Sequence, residues 1–389
     1  MKLKRVAILS ISLLIIMSTD TVAPLVGKMH ASYPEVPAAL IRQTITLPSL
    51  IMIFFGFLAG WMVKRISKKT VLAIGMILYS VGGIAAGWAS SFSMHLVLRA
   101  ILGAGTGLLI PISSSLIADF YLGEERAKMI GYSSAISHLG GVITPPLAVW
   151  IGFNNWRNAF WIFAIAPLIF LFSMLFIPES AHDVRPQQAT TTRGKIPRKV
   201  IGLSLVSFLI VMVFFIIITD IPFLLETKSD ISAFVLAFGL STSTLGTTIS
   251  GSIFSGVYKF TKKWIVPIGL LICAGGFFLV TFSTHEFLIM LGLLSTGFGL
   301  GFLVSLITLS AANAMGDQDS TSALALINSA FSIGIFLSPI FYSTLPMILK
   351  REQSIIYNFQ IGSIFFLIAG LASIPFLFGL RKFKAVSAD

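Results

Sequence analysis

The chain has 389 residues, 56% of them hydrophobic and only 11% charged, where an ordinary soluble domain carries about 25% charged residues. So little charge cannot cover a water-exposed surface of this size, which excludes a soluble globular protein and points to an all-α polytopic membrane protein. The net charge of +12 is read through the positive-inside rule rather than as a nucleic-acid surface, and the single cysteine, Cys273, offers neither a disulfide framework nor a thiolate metal site.

Twelve apolar runs are each long enough to cross a bilayer as a helix, at roughly 6–26, 40–63, 70–90, 94–119, 129–152, 158–178, 200–225, 232–258, 264–284, 287–313, 321–346 and 355–380. Continuous runs of this length favour helices over strands, because lipid leaves no water to satisfy an open backbone. The first run follows Lys2, Lys4 and Arg5 and has the outline of a secretory leader. No small-residue cleavage pattern follows it and Asp20 lies within it, so a retained first helix is expected. Of the 27 Lys and Arg, six (Lys28, Arg42, Arg157, Lys228, Lys350 and Arg351) fall on one side of these spans, Arg99 lies inside a span, and the remaining 20 fall on the side of the N-terminus. That asymmetry predicts a multi-pass protein of the cell membrane with both termini cytoplasmic.

The longest polar break, residues 179–199 (ESAHDVRPQQATTTRGKIPRK), has no apolar periodicity and reads as a cytoplasmic linker between an N-terminal bundle, residues 1–178, and a C-terminal bundle, residues 200–389. A shift of 194 residues places Lys68-Lys69 on Lys262-Lys263, Gly75 on Gly269, and Gly103, Gly105 and Gly107 on Gly297, Gly299 and Gly301. The same shift places Gly140 on Gly334 and Pro145 on Pro339. The chain is therefore read as a tandem duplication of six helices, forming two pseudo-symmetric bundles with a substrate site expected between them near the bilayer midplane.

The stretch GWMVKRISKKTVLAIG (residues 60–75) sets Lys64, Arg65, Lys68 and Lys69 between two apolar runs, and GVYKFTKKWIVPIG (residues 256–269) is a blurred copy of it. Such a loop serves as topogenic charge, or as a latch that pairs with acids or helix C-termini when the cytoplasmic side is closed. The fourth span carries Arg99-Ala100-Ile101-Leu102-Gly103-Ala104-Gly105, and the fifth carries Gly140 followed by GVITPPLAVW, residues 141–150. These stretches resemble the signatures of the major facilitator superfamily, and within it the twelve-span proton-coupled drug exporters. The loop between the second and third helices of that family reads G-x-x-x-D-R-x-G-R-K. Gly60, Arg65 and the pair Lys68-Lys69 match it, while Lys64 stands at its Asp position and Ser67 at its second Gly. Asp119, Glu124 or Glu125 is then left to supply a compensating acid. Arg99, Gly103 and Gly105 match the family's R-x-x-x-G-x-G. In the exporter signature G-x-x-x-G-P-x-x-G-G, Gly140 and Pro145 match, and Thr144, Ala148 and Val149 replace the later glycines. The resemblance implies a hinge in the fifth helix at Gly140, Gly141 and Pro145. NWRNAFWIFA, residues 155–164, resembles the junction between the family's fifth and sixth helices.

An ionisable side chain inside a membrane costs several kcal/mol unless paired, so each one is a functional candidate. Asp20 lies about 14 residues into the first helix, roughly 21 Å deep at about 1.5 Å per residue, which leaves about 9 Å of a core about 30 Å thick. Arg99 lies about 8 Å from that same outer side. The resemblance places helices one and four on the central cavity, so an Asp20–Arg99 interaction is expected. It is either the proton-coupling pair, switched by the charge of Asp20, or a static tie between two helices. His138 reads either as a proton relay or substrate contact, or as an interface histidine. Asp220 follows Thr219 as Asp20 follows Thr19, but at an offset of 200 rather than 194. It reads as a coupling or substrate acid, or as a residue of the outer mouth. Asn313, Asp317 and Asp319 read as loop or cap residues.

No G-x-x-x-x-G-K-[ST] loop, H-E-x-x-H or other metal spacing occurs, and the five His are scattered. The reading is of a protein that is not an enzyme and implies no cofactor, metal or nucleic acid. Its partners are a small-molecule substrate, protons and the bilayer. By resemblance it works as a monomeric proton-coupled exporter (antiporter) of small hydrophobic or amphipathic compounds such as drugs, by alternating access. The alternative is a transporter of a specific nutrient, sugar or lipid-linked substrate.

Overall fold

The computed structural model describes residues 2–178, 197–228, 231–315, 321–348 and 354–385; most of the expected linker at 179–199, together with Asp317 and Asp319, lies outside the described residues. All regular structure among the described residues is helical. Among the described residues eleven stretches are long and apolar enough to cross a membrane, and the one at Phe234–Phe282 consists of two helices, so twelve spans are described. Span 1 is the helix Lys2–Asp20 followed by a 3-10 turn, Ala23–Leu25, and a short helix, Val26–Ser32. Spans 2 to 5 are Ala38–Met62, Lys68–Ala85, Phe92–Phe120 and Gly123–Ile151, and span 6 is a 3-10 segment, Trp156–Ala164, leading into Ile165–Phe176. Span 7 is Arg198–Phe214 and Ile216–Glu226, interrupted at Phe215. Spans 8 to 12 are Ala233–Thr261, Ile265–Phe282, Glu286–Ala314, Thr321–Ile348 and Ile355–Ala385.

The starts and stops follow from local chemistry. Ser67 caps span 3, its hydroxyl accepting from Thr70 N at 3.1 Å, and Ser91 caps span 4 by accepting from Met94 N at 3.2 Å. Span 1 breaks after Asp20 because Pro24 has no N–H to offer the Asp20 carbonyl. Span 8 ends where Lys262 takes a left-handed φ of +47°. Span 5 begins at Gly123, earlier than its apolar run, since Glu124 and Glu125 sit in its first turn, where the helix dipole favours acids.

Backbone contacts divide the chain into two compact units, Met1–Gly194 with Ile335–Ile340, and Lys195–Gly334 with Phe341–Asp389. In the first, span 4 packs against spans 2 and 3, and span 1 against spans 4, 5 and 6. In the second, span 10 packs against spans 7, 8 and 9, and span 9 against span 12. Glycines permit the closest approaches. A Cβ on Gly103 would lie 2.6 Å from Pro48 O, one on Gly107 2.6 Å from Met52 O, and one on Gly105 2.7 Å from Gly75 O. Gly297, Gly301 and Gly299 face Ser243, Thr247 and Gly269 in the same alternation. Gly82 presses on Leu98 and Leu102, and Gly276, 194 residues on, presses on Gly292 and Thr296. The two units thus use one packing scheme. Small residues substitute for the hydrophobic drive that lipid does not provide between helices.

The C-terminal ends of spans 3 and 9 are closed by the same device. Arg157 Nη1 donates to Gly87 O at 3.2 Å and Ala89 O at 2.7 Å. Lys228 Nζ donates to Val280 O at 2.8 Å, Thr281 O at 3.4 Å and Ser283 O at 2.5 Å. Each cation meets carbonyls that a helix terminus leaves without partners. Outward, Phe54, Phe57, Leu168 and Leu175 are exposed, as side chains facing lipid must be.

Gly103→Ala is expected to destabilise the protein by about 1–3 kcal/mol, because a backbone must retreat. Gly275→Ala, whose Cβ would meet nothing within 4 Å, is expected to leave stability unchanged or raise it by up to about 1 kcal/mol, alanine being the better helix former. Thermal unfolding of the two purified variants in detergent checks the contrast; equal midpoints would reject the glycine packing described.

Candidate functional site

Arg99 is fully buried in span 4 and gathers the N-terminal unit around it. Its Nε donates to Thr44 O of span 2 at 2.7 Å and its Nη2 to Ser18 O of span 1 at 2.5 Å, while its guanidinium carbon lies 5.8 Å from the Phe163 ring centre of span 6. Both carbonyls are available for local reasons. Pro48, four residues after Thr44, has no N–H to bond the Thr44 carbonyl. Ser18 lies in the last turn of its helix, where carbonyls have no intrahelical donor. A proline and a helix end thus create two acceptors inside the membrane, and one guanidinium satisfies both.

The expected contact between Asp20 and Arg99 is not what forms. The Asp20 carboxylate accepts the Thr19 hydroxyl at 2.8 Å, and Arg99 bonds the backbone two residues earlier. Two residues turn a helix by about 200°, which carries the Asp20 side chain to the far face. Asp20 is half-buried and is the last residue of its helix.

Spans 1 and 5 meet along a polar stripe that motif reading did not single out. Ser12 and Ser133 share a hydrogen bond at 2.6 Å, Ser137 donates to Ser12 O at 2.8 Å, and Thr21 donates to Thr144 at 2.9 Å. A Cβ on Gly140 would lie 2.7 Å from Leu13 O. Ser133, Ser137, Gly140 and Thr144 recur every three to four residues, a small-residue pattern legible in the sequence once the helix is granted. Thr144, which replaces a signature glycine, holds span 1 through its hydroxyl. Gly141 and Pro145 are buried beside this stripe. His138 is half-buried on the same helix, and its Nδ1 bonds Ser134 O at 2.8 Å, one turn back.

At the opposite end of the unit, Lys68 Nζ lies 2.6 Å from Asp119 Oδ2, both side chains largely buried. This pair joins the start of span 3 to the end of span 4. Asp119 is therefore the acid that meets the basic loop, from the neighbouring helix rather than from within the loop. Ser67, at the loop's glycine position, is the cap of span 3. Arg65 lies 4.3 Å over the Trp61 ring, Lys64 is exposed and Lys69 half-buried. A Cβ on Gly60 would meet nothing within 4 Å.

In the C-terminal unit, Asp220 is 1% exposed and accepts the Thr219 hydroxyl at 2.7 Å, repeating the Thr19–Asp20 bond. The side chain is thus buried rather than open to solvent. Gly140 on Leu13 and Gly334 on Phe208 set the register of spans 1 and 7; in that register Phe215, not Asp220, corresponds to Asp20.

Twelve spans in two units of like packing, with a buried arginine clasp in one, describe a polytopic membrane transporter. The fold is similar to that of a D-xylose–proton symporter, with a TM-score of 0.78 at 17% identity over 95% of this chain and 96% of that one. The sequence profile of the Major Facilitator Superfamily matches residues 8–339, and the chain belongs to that superfamily. It is a transporter and not an enzyme. The chain is 24% identical to a probable sulfoacetate transporter, SauU, of Cupriavidus necator, over 87% of this chain and 88% of that protein. It is 30% identical to the quinolone resistance protein NorA of Staphylococcus aureus, over 39% of this chain and 37% of that one. The chain spans about a third of the length of several curated relatives it matches.

Asp119→Asn and Lys68→Met are each expected to cost about 3 kcal/mol, since each removes the opposite charge that a largely buried group faces at 2.6 Å, whereas Lys68→Met combined with Asp119→Leu costs less than either. A double-mutant cycle on unfolding midpoints measures this; strictly additive losses would show that the two side chains do not interact.

Proposed function

We propose that the chain is a proton-coupled secondary transporter of the cell membrane, with both termini cytoplasmic, acting as a monomeric exporter of small hydrophobic or amphipathic compounds by alternating access. The bundles at 1–178 and 200–389 are its two moving halves. The observation that carries this reading is the place of Asp20: it ends the first helix of span 1, two residues beyond the carbonyl that Arg99 holds. A helix C-terminus carries negative partial charge, so the charge state of a carboxylate placed there acts directly on the helix end. Protonated, Asp20 leaves the helix end intact and the Ser18–Arg99 bond made. Ionised, it loosens that end and the clasp across spans 1, 2 and 4. The Nη1 of Arg99 is buried and has no hydrogen-bond partner among the described residues, so the guanidinium retains a donor for another acceptor once the clasp loosens. Asp220 supplies a second enclosed acid in the C-terminal unit, and His138 a titratable group beside the span-5 hinge at Gly140, Gly141 and Pro145. The basic loop with Lys68–Asp119 acts as the cytoplasmic latch.

The relative named for quinolone resistance supports a drug-like cargo. The sulfoacetate relative, matched over 87% of this chain, favours the second reading, a transporter of one specific small solute. Proton-driven flux in proteoliposomes, across lipophilic cations, neutral drugs, a quinolone and sulfoacetate, separates the two. Asp20→Asn is expected to lower driven flux by about tenfold or more, the rate equivalent of about 1.4 kcal/mol, while exchange without a gradient persists. Equal driven flux in both proteins would remove Asp20 from coupling. Pro48→Ala restores an N–H to the Thr44 carbonyl and is expected to weaken driven flux with Asp20 untouched; unaltered flux would show that the clasp plays no part.

A further inference from the structure

The positive-inside asymmetry explains the cations at one end of the spans, but not those at the other. Two of the exceptions, Lys28 and Arg157, converge on one open cavity of about 390 Å³ at the end of the N-terminal unit where spans 1, 3 and 5 finish. That volume lies within the range of small-ligand sites. Ser32, Tyr33, Asn154, Asn155 and Trp156 complete its polar wall, and no carboxylate lines it.

The hydrogen bonds show what remains for a ligand. Arg157 directs Nη1 to the span-3 carbonyls and Nη2 to Tyr33 Oη at 2.7 Å. Tyr33 is an acceptor in that bond, so its own proton is left to donate. Lys28 Nζ, with three N–H groups, gives one to Phe153 O at 2.8 Å. Asn155 accepts from Arg157 N through its Oδ1 at 3.1 Å, leaving its amide NH₂ as a donor. The cavity therefore presents ammonium, phenol and amide donors beside a guanidinium, an array suited to an oxyanion with several acceptor oxygens. Trp88, Trp150, Phe153 and Trp161, at the ends of spans 3 and 5 and the start of span 6, are all exposed, as aromatics at the level of lipid headgroups are.

We propose that this cavity is a phosphate site that takes the headgroup of an anionic phospholipid. These aromatics place the cavity at headgroup depth, and the two cations supply the charge that such headgroups seek. The site is separate from the Arg99 clasp and tethers one end of the N-terminal unit to its leaflet.

Native mass spectrometry of the full chain in detergent, titrated with phosphatidylglycerol or with zwitterionic phosphatidylethanolamine, tests it. Lys28→Gln removes one cation, and Asn154→Asp sets a negative charge on the wall at a side chain whose loss breaks no described hydrogen bond. Each is expected to lower phosphatidylglycerol occupancy by about fivefold, the usual weight of one charge near a membrane surface, with phosphatidylethanolamine occupancy unchanged and, for Asn154→Asp, the unfolding midpoint unchanged as well. Inorganic phosphate forms a third arm. Displacement of phosphatidylglycerol by millimolar phosphate assigns the phosphate chemistry to a free anion as well as a lipid; no displacement assigns it to the lipid alone. Variants that retain phosphatidylglycerol as the unaltered chain does, or equal retention of both lipids by all proteins, would overturn the proposal.

Discussion

Within a bilayer every backbone carbonyl must find a donor inside the protein, and this constraint organises the structure. An uninterrupted helix meets it alone. At several places where the chain departs from one, a polar side chain from another span arrives. Pro48 frees the Thr44 carbonyl and the end of a helix frees that of Ser18, and Arg99 bonds both. Arg157 closes the end of span 3, and Lys228 the end of span 9. Tyr79 donates to Leu14 O and Tyr342 to Val213 O, each at 2.9 Å. Breaks in the helices are thus held by groups whose charge or hydrogen bonds can be altered.

The duplication shows how closely packing and chemistry can diverge. Glycine contacts recur between the units at one offset, because helix approach depends only on the absence of a Cβ. The carbonyls at Gly87 and Ala89 recur at Thr281 and Ser283 by the same offset of 194. Yet the cation that closes them lies in the first turn of span 6 in one unit and follows span 7 in the other. A helix end requires a positive donor within reach, not one from a given place in the chain. The acids diverge further: Asp20 ends a helix while Asp220 lies beyond the interruption at Phe215.

Much of the candidate site was legible. Arg99 stood out as a cation in an apolar run, and the loop at Lys64–Lys69 as charge between spans. The acid that meets the loop was legible only as a choice among Asp119, Glu124 and Glu125, since sequence spacing does not say which helix end lies beside which loop. The Asp20–Arg99 contact was expected from equal depth in the membrane. Depth leaves helix rotation open, and rotation turned the carboxylate away from the guanidinium. The serine and threonine stripe between spans 1 and 5 escaped motif reading because hydroxyl residues that bond across an interface have the same spacing as those that bond only their own helix.

By itself the sequence determined the membrane character, the twelve helical spans, the internal repeat and the family, because hydrophobic length, glycine spacing and signature residues are properties of the linear chain. Only the tertiary structure decided which carbonyls Arg99 holds, that Asp119 meets Lys68, that Asp220 is enclosed, and that Lys28 and Arg157 share one cavity. Those outcomes depend on the rotation of each helix about its axis and on which neighbour it faces. In lipid these are set by close packing between helices, to which composition and periodicity along a single helix are blind.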